Sequence, residues 1–417
     1  MSVRSSPALA PVRALVRAPA VGPAVGPAVG PVRSAVARRR LRAVPVRVRE
    51  VFVVLPADVD DPARPSGGNT YDRRICAGLA ATGWSVRRLT VPGSWPRPGD
   101  AGRARLAAAL AGVPDGATVL LDGIVACGVP EVIVPQAARL RVVVLVHLPL
   151  ADETGLGSAD AAALEAAEGR TLRAASMVVA TGSAVAHRLV TRHGLPATRV
   201  RLATPGVDPA PTATGSAEGG RLLCVASVTP RKGHDVLVRA LGQVADLSWI
   251  CVCAGPQAHD GRFAAAVRQE AQTGGPAGRV VFPGACTAAE VADLYAGSDL
   301  VVLPSRAEPY GMVVTEALAR GVPVLASEVA GIPEALGRGP DGELPGMLVP
   351  PGDPVALAAA LRAWLSDPEL RDALRAAALA RRRGLPDWAR TTVALAAALD
   401  PSAPDLHARD HLIGGLR

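Results

Sequence analysis

Short apolar runs alternate along the chain with longer stretches in which apolar residues recur every three or four positions. Runs such as residues 50–56 and 299–304 predict buried parallel strands, because a strand covered on both faces is apolar throughout. The longer stretches predict helices that cover a sheet. This alternation predicts an α/β fold with doubly wound parallel sheets, whose ligands bind at the carboxyl ends of the strands.

A segment rich in Pro, Ala, Thr and Gly at 209–220 interrupts this alternation and predicts a linker between two Rossmann-like domains. We expect six segments: a disordered Arg-, Pro- and Ala-rich tail at 1–48, a first domain at 49–208, the linker at 209–220, a second domain at 221–385, a last helix at 386–400 and a tail at 401–417.

The net charge of +8 at first suggests a nucleic-acid or membrane partner, but the distribution of charge along the chain changes this interpretation. Residues 1–50 carry ten arginines and one acidic residue, a balance of +9, so residues 51–417 sum to −1. We therefore expect no nucleic-acid partner. The arginines at 38–40 leave peripheral contact with an anionic membrane as an alternative, but a dispensable extension is the favoured interpretation.

Location and redox state follow from two further features. Apolar runs all fall short of the ~20 residues of a transmembrane helix, which predicts no transmembrane segment. Six cysteines lack the paired spacing of a metal site and fit a reducing compartment. We expect a cytoplasmic protein, with a peripheral position at the inner membrane surface as the alternative.

The stretch at 305–316 contains two glutamates, one before and one after the predicted start of a helix. After the strand at 299–304, the pattern predicts a loop that contains Glu308 and a helix that opens at Gly311 and contains Glu316. Free amides at a helix start favour a phosphate or diphosphate. Glu316, about one turn further along, can accept two hydrogen bonds from a vicinal diol such as a ribose. Glu308 can reach hydroxyls beyond the phosphates.

Lys232 is the single lysine of the chain, against 44 arginines. It follows the predicted strand at 221–226 and a turn that also contains Arg231. A lysine retained in such a sequence suggests a position that needs a compact ammonium, as beside a crowded diphosphate.

Two positions in the first half are further candidates. The predicted loop at 57–70 contains Gly67, Gly68 and Asn69 before a helix, which favours an anion-binding turn over an ordinary tight turn. His147 ends an apolar run at 141–147 and thus lies at the carboxyl end of a strand, where we favour a functional histidine over a structural one.

Two short motifs are misleading. Residues 337–342 match Gly-x-Gly-x-x-Gly but follow a predicted helix, so we expect no dinucleotide site. Residues 58–60 match an Asp-x-Asp metal motif, yet they follow the first strand and precede a proline-rich loop, so we expect a solvated turn and no metal site.

The string around Glu308 and Glu316, Glu-Pro-Tyr-Gly-Met followed by Glu-Ala-Leu-Ala-Arg-Gly-Val-Pro-Val, resembles the donor signature of family-4 retaining glycosyltransferases with the GT-B fold. The resemblance spans roughly 50–400 and implies two domains facing across a cleft, with the last helix returning to the first domain. It implies donor-binding roles for Arg231, Lys232, Glu308, Pro309, Tyr310, Gly311, Met312, Val313 and Glu316.

The same resemblance implies catalytic roles for His147, Lys232 and Glu308, and a phosphate and acceptor loop at Gly67, Gly68 and Asn69. Ser227 stands where the family has an arginine, and Arg231 is the nearest cation that can take over.

We therefore expect a retaining hexosyltransferase that needs no metal and no cofactor. It would move a hexosyl group from a nucleoside-diphosphate sugar, its donor substrate, to a hydroxyl acceptor that the sequence leaves unidentified. Two alternatives stay open: an inactive GT-B protein that binds nucleotide sugars, which Ser227 keeps possible, and a GT-B sugar-nucleotide epimerase. Release of free nucleoside diphosphate separates transfer from epimerisation.

Overall fold

A computed structural model describes residues 49–62, 65–257, 260–273 and 275–401. The expectations for residues 1–48 and for the tail beyond residue 401 lie outside these ranges. The strands of the described chain are β1 (Arg49–Pro56), β2 (Trp84–Val91), β3 (Thr118–Asp122), β4 (Arg141–Val146), β5 (Met177–Ala180), β6 (Val200–Leu202), β7 (Arg221–Val225), β8 (Ile250–Ala254), β9 (Val280–Gly284), β10 (Leu300–Leu303), β11 (Val324–Ser327) and β12 (Gly346–Val349).

Helices connect successive strands in both halves of the chain. They are α1 (Gly67–Ala81), α2 (Asp100–Ala111), α3 (Gly123–Ala126), α4 (Pro130–Ile133), α5 (Ser158–Ala174), α6 (Ser183–His193), α7 (His234–Gly242), α8 (Gly261–Gln272), α9 (Ala288–Ala296), α10 (Met312–Leu318), α11 (Ile332–Leu336), α12 (Pro354–Ser366), α13 (Pro368–Arg382) and α14 (Trp388–Leu399).

The strands form two parallel sheets of six, with the orders β2-β1-β3-β4-β5-β6 and β12-β11-β10-β7-β8-β9. We call each sheet with its covering helices the N-terminal lobe and the C-terminal lobe. In each sheet the order reverses once, between β1 and β3 and between β7 and β10, and such a switch point opens a crevice at the carboxyl ends of the strands. The predicted fold class, two doubly wound Rossmann-like units, is confirmed.

Both faces of the first sheet are buried, as its apolar strands predict. Val53 packs on one side with Leu79 of α1 and Leu395 of α14, and Val54 packs on the other with Leu106 of α2. Burial of this kind contributes roughly 1.5–3 kcal/mol for each large aliphatic side chain. The apolar strands therefore fix the positions at which their carboxyl ends meet.

Helix α1 begins earlier than the sequence predicted. Gly67, Gly68 and Asn69 were expected in a loop, but they form the first turn of α1. Ser66 is the N-cap, and its hydroxyl accepts a hydrogen bond from the Asn69 amide at 3.0 Å. Because a serine cap satisfies a free amide of the first turn, the two glycines join the helix despite their low helix propensity.

Helix α14 lies against the N-terminal lobe, although it follows the C-terminal lobe in the chain. The ring of Trp388 meets that of Tyr71 edge-on, with 5.8 Å between centroids. A side chain at Gly78 of α1 would place its Cβ 2.2 Å from Thr392 Oγ1, so only glycine permits this close approach of the two helices.

The segment that joins the lobes is fixed to the C-terminal sheet. Asp299 accepts hydrogen bonds from the Ser216 hydroxyl at 2.6 Å and from the Arg221 amide at 2.8 Å. The division of the chain at residues 208 and 221 into separate domains stays a prediction. None of the helices in the described ranges is both long enough and apolar enough to cross a bilayer.

Candidate active site

The site begins with a contact between two loops of the C-terminal lobe. Lys232 lies in the turn after β7, and Glu308 lies in the loop after β10, the neighbouring strand across the switch point. The Lys232 ammonium and a Glu308 carboxylate oxygen form an ion pair, and the Ser305 hydroxyl donates to the same oxygen at 3.4 Å. Glu308 is buried. The two residues that the sequence singled out are thus in direct contact.

Gly233 makes this approach of the two loops possible. Its φ is +70°, and a Cβ on it would lie 2.0 Å from the carbonyl oxygen of Pro304 at the end of β10. Any larger residue would be strained at this φ and would push the two loops apart. The turn after β7 therefore reaches Glu308 because residue 233 is glycine.

A second ion pair, which the sequence analysis missed, fixes the same two loops. Both terminal nitrogens of Arg306 donate to Asp235 of α7, at 2.8 and 2.7 Å, and Arg306 also donates to the Pro230 carbonyl at 2.6 Å. The Asp235 pKa lies below its ordinary value because Arg306 outweighs the effect of burial. A bidentate pair of this kind holds geometry as well as charge, so Arg306 sets the position of the Lys232 turn.

Glu316 lies on α10 and is held from α9. The Tyr295 hydroxyl donates to Glu316 Oε2 at 2.9 Å, and the Arg320 guanidinium lies 4.6 Å from the centre of the Tyr295 ring. Burial raises the pKa of the Glu316 carboxyl, against the hydrogen bond from Tyr295 and the charge of Arg320. One carboxylate oxygen is therefore engaged by the protein, which was not foreseen from the sequence.

The start of α1 faces the start of α10 across the cleft. The Cβ position of Gly67 lies 3.4 Å from Met312 Sδ, and that of Gly68 lies 3.4 Å from the His147 ring. The Cβ position of Gly311, the N-cap of α10, lies 3.6 Å from Glu308 Cγ. Consecutive contacts thus run from His147 through the start of α1 and the start of α10 to Glu308.

His147 belongs to a buried cluster of charged groups in the N-terminal lobe. Its Nε2 lies 3.0 Å from Asp72 Oδ1 of α1, and Asp122, the last residue of β3, lies beside them. Burial opposes the charge of the ring, but the carboxylate and hydrogen bond of Asp72, with the charge of Asp122, outweigh it and raise the pKa of His147 to about 9. Burial and then the charge of Asp72 raise the pKa of Asp122 to about 7.

Asp72 and Asp122 were not identified from the sequence, although each left a signal. Asp72 occupies the buried face of α1, in register with Ile75 and Cys76, where a charge is unusual unless it has a partner. Asp122 ends an apolar strand, as His147 does. One possible ligand atom from each of the three residues lies within 4.8 Å of the others, which is close enough for metal coordination. The expectation of a metal-free site stays a prediction.

Several polar contacts join the two lobes beside the cleft. Arg231 Nε donates to Glu153 of the N-terminal lobe at 3.0 Å, and the Ser183 amide donates to Glu334 of the C-terminal lobe at 2.8 Å. The Cβ position of Gly182 lies 2.9 Å from the Pro309 carbonyl oxygen. Arg231 therefore lies at the cleft, where its guanidinium donates to Glu153 of the opposite lobe and also, at 3.5 Å, to the Ala307 carbonyl of its own lobe.

The remaining predicted residues divide between the cleft and the scaffold. Tyr310 is buried, and burial raises the pKa of its hydroxyl to about 12. Val313 lies in the first turn of α10, where its carbonyl accepts from Tyr295 at 3.5 Å. The Asn69 side chain donates to the Asp58 carbonyl at 3.4 Å, so the structure gives it a local contact within the N-terminal lobe.

Two lobes, each with a doubly wound parallel sheet, face each other with charged groups at both switch points, and this arrangement defines a GT-B protein. Residues 215–381 match the family described as "Glycosyl transferases group 1". This range contains Lys232, Glu308 and Glu316. The match agrees, over the C-terminal part of the chain, with the resemblance to family-4 glycosyltransferases.

Two curated relatives are D-inositol 3-phosphate glycosyltransferases. The chain is 34% identical over 248 residues to D-inositol 3-phosphate glycosyltransferase 1 of Catenulispora acidiphila, covering 55% of this chain and 58% of that protein. It is 33% identical over 259 residues to D-inositol 3-phosphate glycosyltransferase of Kineococcus radiotolerans, covering 54% and 57%. The chain thus spans a little over half the length of the curated relatives it matches.

Solved structures share the fold over most of the chain. Sucrose-phosphate synthase from Thermosynechococcus elongatus superposes with a TM-score of 0.67 at 22% identity, covering 84% of this chain and 98% of that one. Anabaena Alr3699/HepE in complex with UDP and glucose superposes with a TM-score of 0.66 at 19% identity, with the same coverage. At these identities the likeness concerns the fold alone.

Proposed function

We propose that the protein transfers a hexosyl group from a nucleoside-diphosphate sugar to an acceptor hydroxyl, with retention of anomeric configuration and without a metal ion. The observation that carries this proposal is the contact between Lys232 and Glu308 at the switch point of the C-terminal sheet. That position faces His147 through the starts of α1 and α10. A cation, a carboxylate and an imidazole therefore share one cleft.

In this proposal the donor lies along the C-terminal side of the cleft. Lys232 and Arg231 neutralise the diphosphate, since charge-assisted hydrogen bonds of this kind contribute about 1.5–3 kcal/mol each. Glu316 accepts from the ribose through the oxygen that Tyr295 leaves available. Glu308 accepts from hydroxyls of the hexosyl group. Arg231 would exchange its Glu153 partner for the diphosphate when the donor binds.

The proposed transfer breaks the bond between the anomeric carbon and the diphosphate oxygen and forms a bond to the acceptor oxygen on the same face. Lys232 stabilises the negative charge that develops on the leaving group. Glu308 is paired with Lys232 and accepts from Ser305, which suits a hydrogen-bond acceptor better than a nucleophile. The departing phosphate then takes the acceptor proton. Contacts between the lobes would exclude water and limit hydrolysis of the donor.

The acceptor is assigned by class only. In a GT-B protein the N-terminal lobe contributes most acceptor contacts, as the resemblance implies. The named relatives act on D-inositol 3-phosphate according to their names, which makes a phosphorylated polyol the first acceptor to test.

The test is a transfer assay with purified full-length protein. UDP-, GDP- and ADP-hexoses are each incubated with D-inositol 3-phosphate or with simple polyols and sugars, in the presence of a chelator. Released nucleoside diphosphate and the glycosylated product are measured by mass spectrometry, and the anomeric configuration by NMR. The proposal predicts both products in equal amounts and a retained configuration. Lys232→Ala is the matched inactive control.

The competing functions give different results in the same assay. An inactive binding protein would bind one nucleotide by calorimetry and yield no product with any acceptor. An epimerase would convert the hexose of the sugar nucleotide without releasing nucleoside diphosphate. Inverted product, or activity lost in the chelator and restored by a divalent cation, would overturn the corresponding part of the proposal.

A further inference from the structure

The Asp72, Asp122 and His147 cluster contains a buried polar atom with no partner. Asp72 is fully buried, and its Oδ2 accepts no hydrogen bond in this structure, whereas its Oδ1 lies 3.0 Å from His147 Nε2. Leaving such an acceptor without a partner in the protein interior costs about 1–3 kcal/mol, and more for a charged group. The cluster must therefore hold something that satisfies this oxygen.

A proton on Asp122 meets this need. Asp122 is 5% exposed, and its Oδ1 accepts from the Ile124 amide at 2.9 Å, which leaves Oδ2 to carry a proton. Two adjacent buried carboxylates resist ionising together, so one of them retains a proton. With Asp122 neutral, Asp72 ionised and His147 charged, the cluster has no net charge.

We propose that Asp72 and Asp122 are positioning residues for His147: protonated Asp122 donates to Asp72 Oδ2, and Asp72 holds the His147 ring as an imidazolium at the cleft. The inference rests on the proposed function and deepens it. An imidazolium can donate a hydrogen bond to the transferred sugar or the acceptor, and it adds positive charge where the leaving group departs. It cannot remove the acceptor proton, so His147 is not the general base.

The surroundings of the cluster support this distribution of charge. The pKa of His147 is raised to about 9 and that of Asp122 to about 7. On α1, burial and the charge of Asp72 raise the pKa of Tyr71 well above its ordinary value and that of Cys76 to about 12, so both groups stay neutral. The Tyr71 ring packs edge-on against His147 with 5.1 Å between centroids. Neither Tyr71 nor Cys76 therefore adds a second negative charge to the cluster.

Histidine NMR on the ligand-free protein tests the inference without reference to activity. The ring resonance of His147 is assigned by its loss in His147→Gln and followed from pH 5 to 10, with exposed His187 as the reference. We expect a midpoint near 9 and a smaller inflection near 7 that reports Asp122. A midpoint near the ordinary histidine value of about 6.5 would overturn the inference.

A matched pair of isosteric variants separates the two carboxylates. Asp122→Asn keeps an oxygen for the Ile124 amide and can donate its amide to Asp72 Oδ2, so we expect the inflection near 7 to vanish. The midpoint should fall only slightly below 9, because the charge of Asp122 is the smallest of the causes that raise the pKa of His147. Asp72→Asn removes the charge that holds the ring, so we expect the midpoint to fall by roughly two units. An unchanged midpoint in Asp72→Asn would contradict the inference.

Two further measurements distinguish this inference from a metal site and from the proposed function. If the cluster binds a divalent cation instead, Mn²⁺ or Zn²⁺ at micromolar concentration shifts or broadens the His147 resonance in wild type and not in Asp72→Asn, and the inference fails.

With an active protein, Asp72→Asn should lower kcat roughly 10- to 100-fold with the donor KM unchanged. A protein that shows the predicted titration but transfers no sugar would refute the proposed function and leave the cluster as described.

Discussion

Lys232 and Glu308 form an ion pair across the switch point of the C-terminal sheet, although 76 residues separate them in the chain. Each follows one of two neighbouring strands, β7 and β10. The pair exists because parallel strands place their carboxyl ends at one edge and because Gly233 allows the two loops to approach. The donor site that we propose depends on this contact and on the residues that hold it.

Arg306 should control donor binding without touching the donor. Arg306→Ala removes the bidentate pair with Asp235 and the bond to Pro230. We expect faster amide hydrogen exchange in the Lys232 turn and a donor Kd about 10-fold higher, since charged hydrogen bonds contribute about 1.5–3 kcal/mol.

The control for this variant is Arg362→Ala. Arg362 forms a similar bidentate pair with Asp246, at 2.7 and 2.8 Å, near the amino end of β8 and thus away from the cleft. We expect this variant to leave donor affinity unchanged. Equal effects of the two variants would show that Arg306 acts through general stability only.

The contact between α1 and α14 should depend on Gly78. Gly78→Ala would place a methyl group 2.2 Å from Thr392 Oγ1, and overpacking of this kind costs typically 1–3 kcal/mol. Alanine is the better helix former by about 1 kcal/mol, so a net loss of stability identifies the clash. We expect a lower thermal midpoint for Gly78→Ala and recovery in the double variant with Thr392→Ala. A single variant as stable as wild type would contradict this packing.

The charge of His147 should make stability depend on pH. Its pKa in the folded protein, about 9, lies above the ordinary value of 6.5. The stabilisation is therefore fully present below pH 6.5 and is lost as the pH rises through 9. A difference of this size corresponds to about 3 kcal/mol.

Chemical denaturation of wild type and His147→Gln at several pH values measures this effect. We expect the difference in unfolding free energy to shrink between pH 7 and 9.5. Asp122 has a raised pKa of about 7, so its own stabilising contribution to folding is lost as the pH rises from about 4 to 7, mostly below that window. If the unfolding free energies of wild type and His147→Gln change with pH in parallel from pH 7 to 9.5, His147 is not held in its charged form.

Much of the fold follows from the sequence because its signals are local. The apolar run at 299–304 and the glycines at 311 and 321 predicted β10 and α10, whose observed bounds are Leu300–Leu303 and Met312–Leu318. The start of α1 was misjudged because the prediction placed the two glycines in a loop and did not consider Ser66 as an N-cap.

The parts of the site that the sequence did not reveal are contacts between distant elements. Arg306 and Asp235 are 71 residues apart, and Asp72 and His147 are 75 residues apart. Neither pair has a spacing that can be recognised in the amino-acid sequence. Only strand order brings them together, so single-sequence reasoning could find the residues that follow each strand but not their partners.

Calorimetric titration of wild type, Lys232→Ala and Glu316→Gln tests the donor site most directly. The ligands are pyrophosphate and whichever of UDP, GDP and ADP binds wild type most tightly. We expect Lys232→Ala to weaken both ligands about 10- to 100-fold, because it loses a charged hydrogen bond to phosphate. Glu316→Gln should weaken the nucleotide alone, because only the nucleotide has a ribose. Unchanged affinities for the nucleotide in both folded variants would place the donor elsewhere and contradict the assignment.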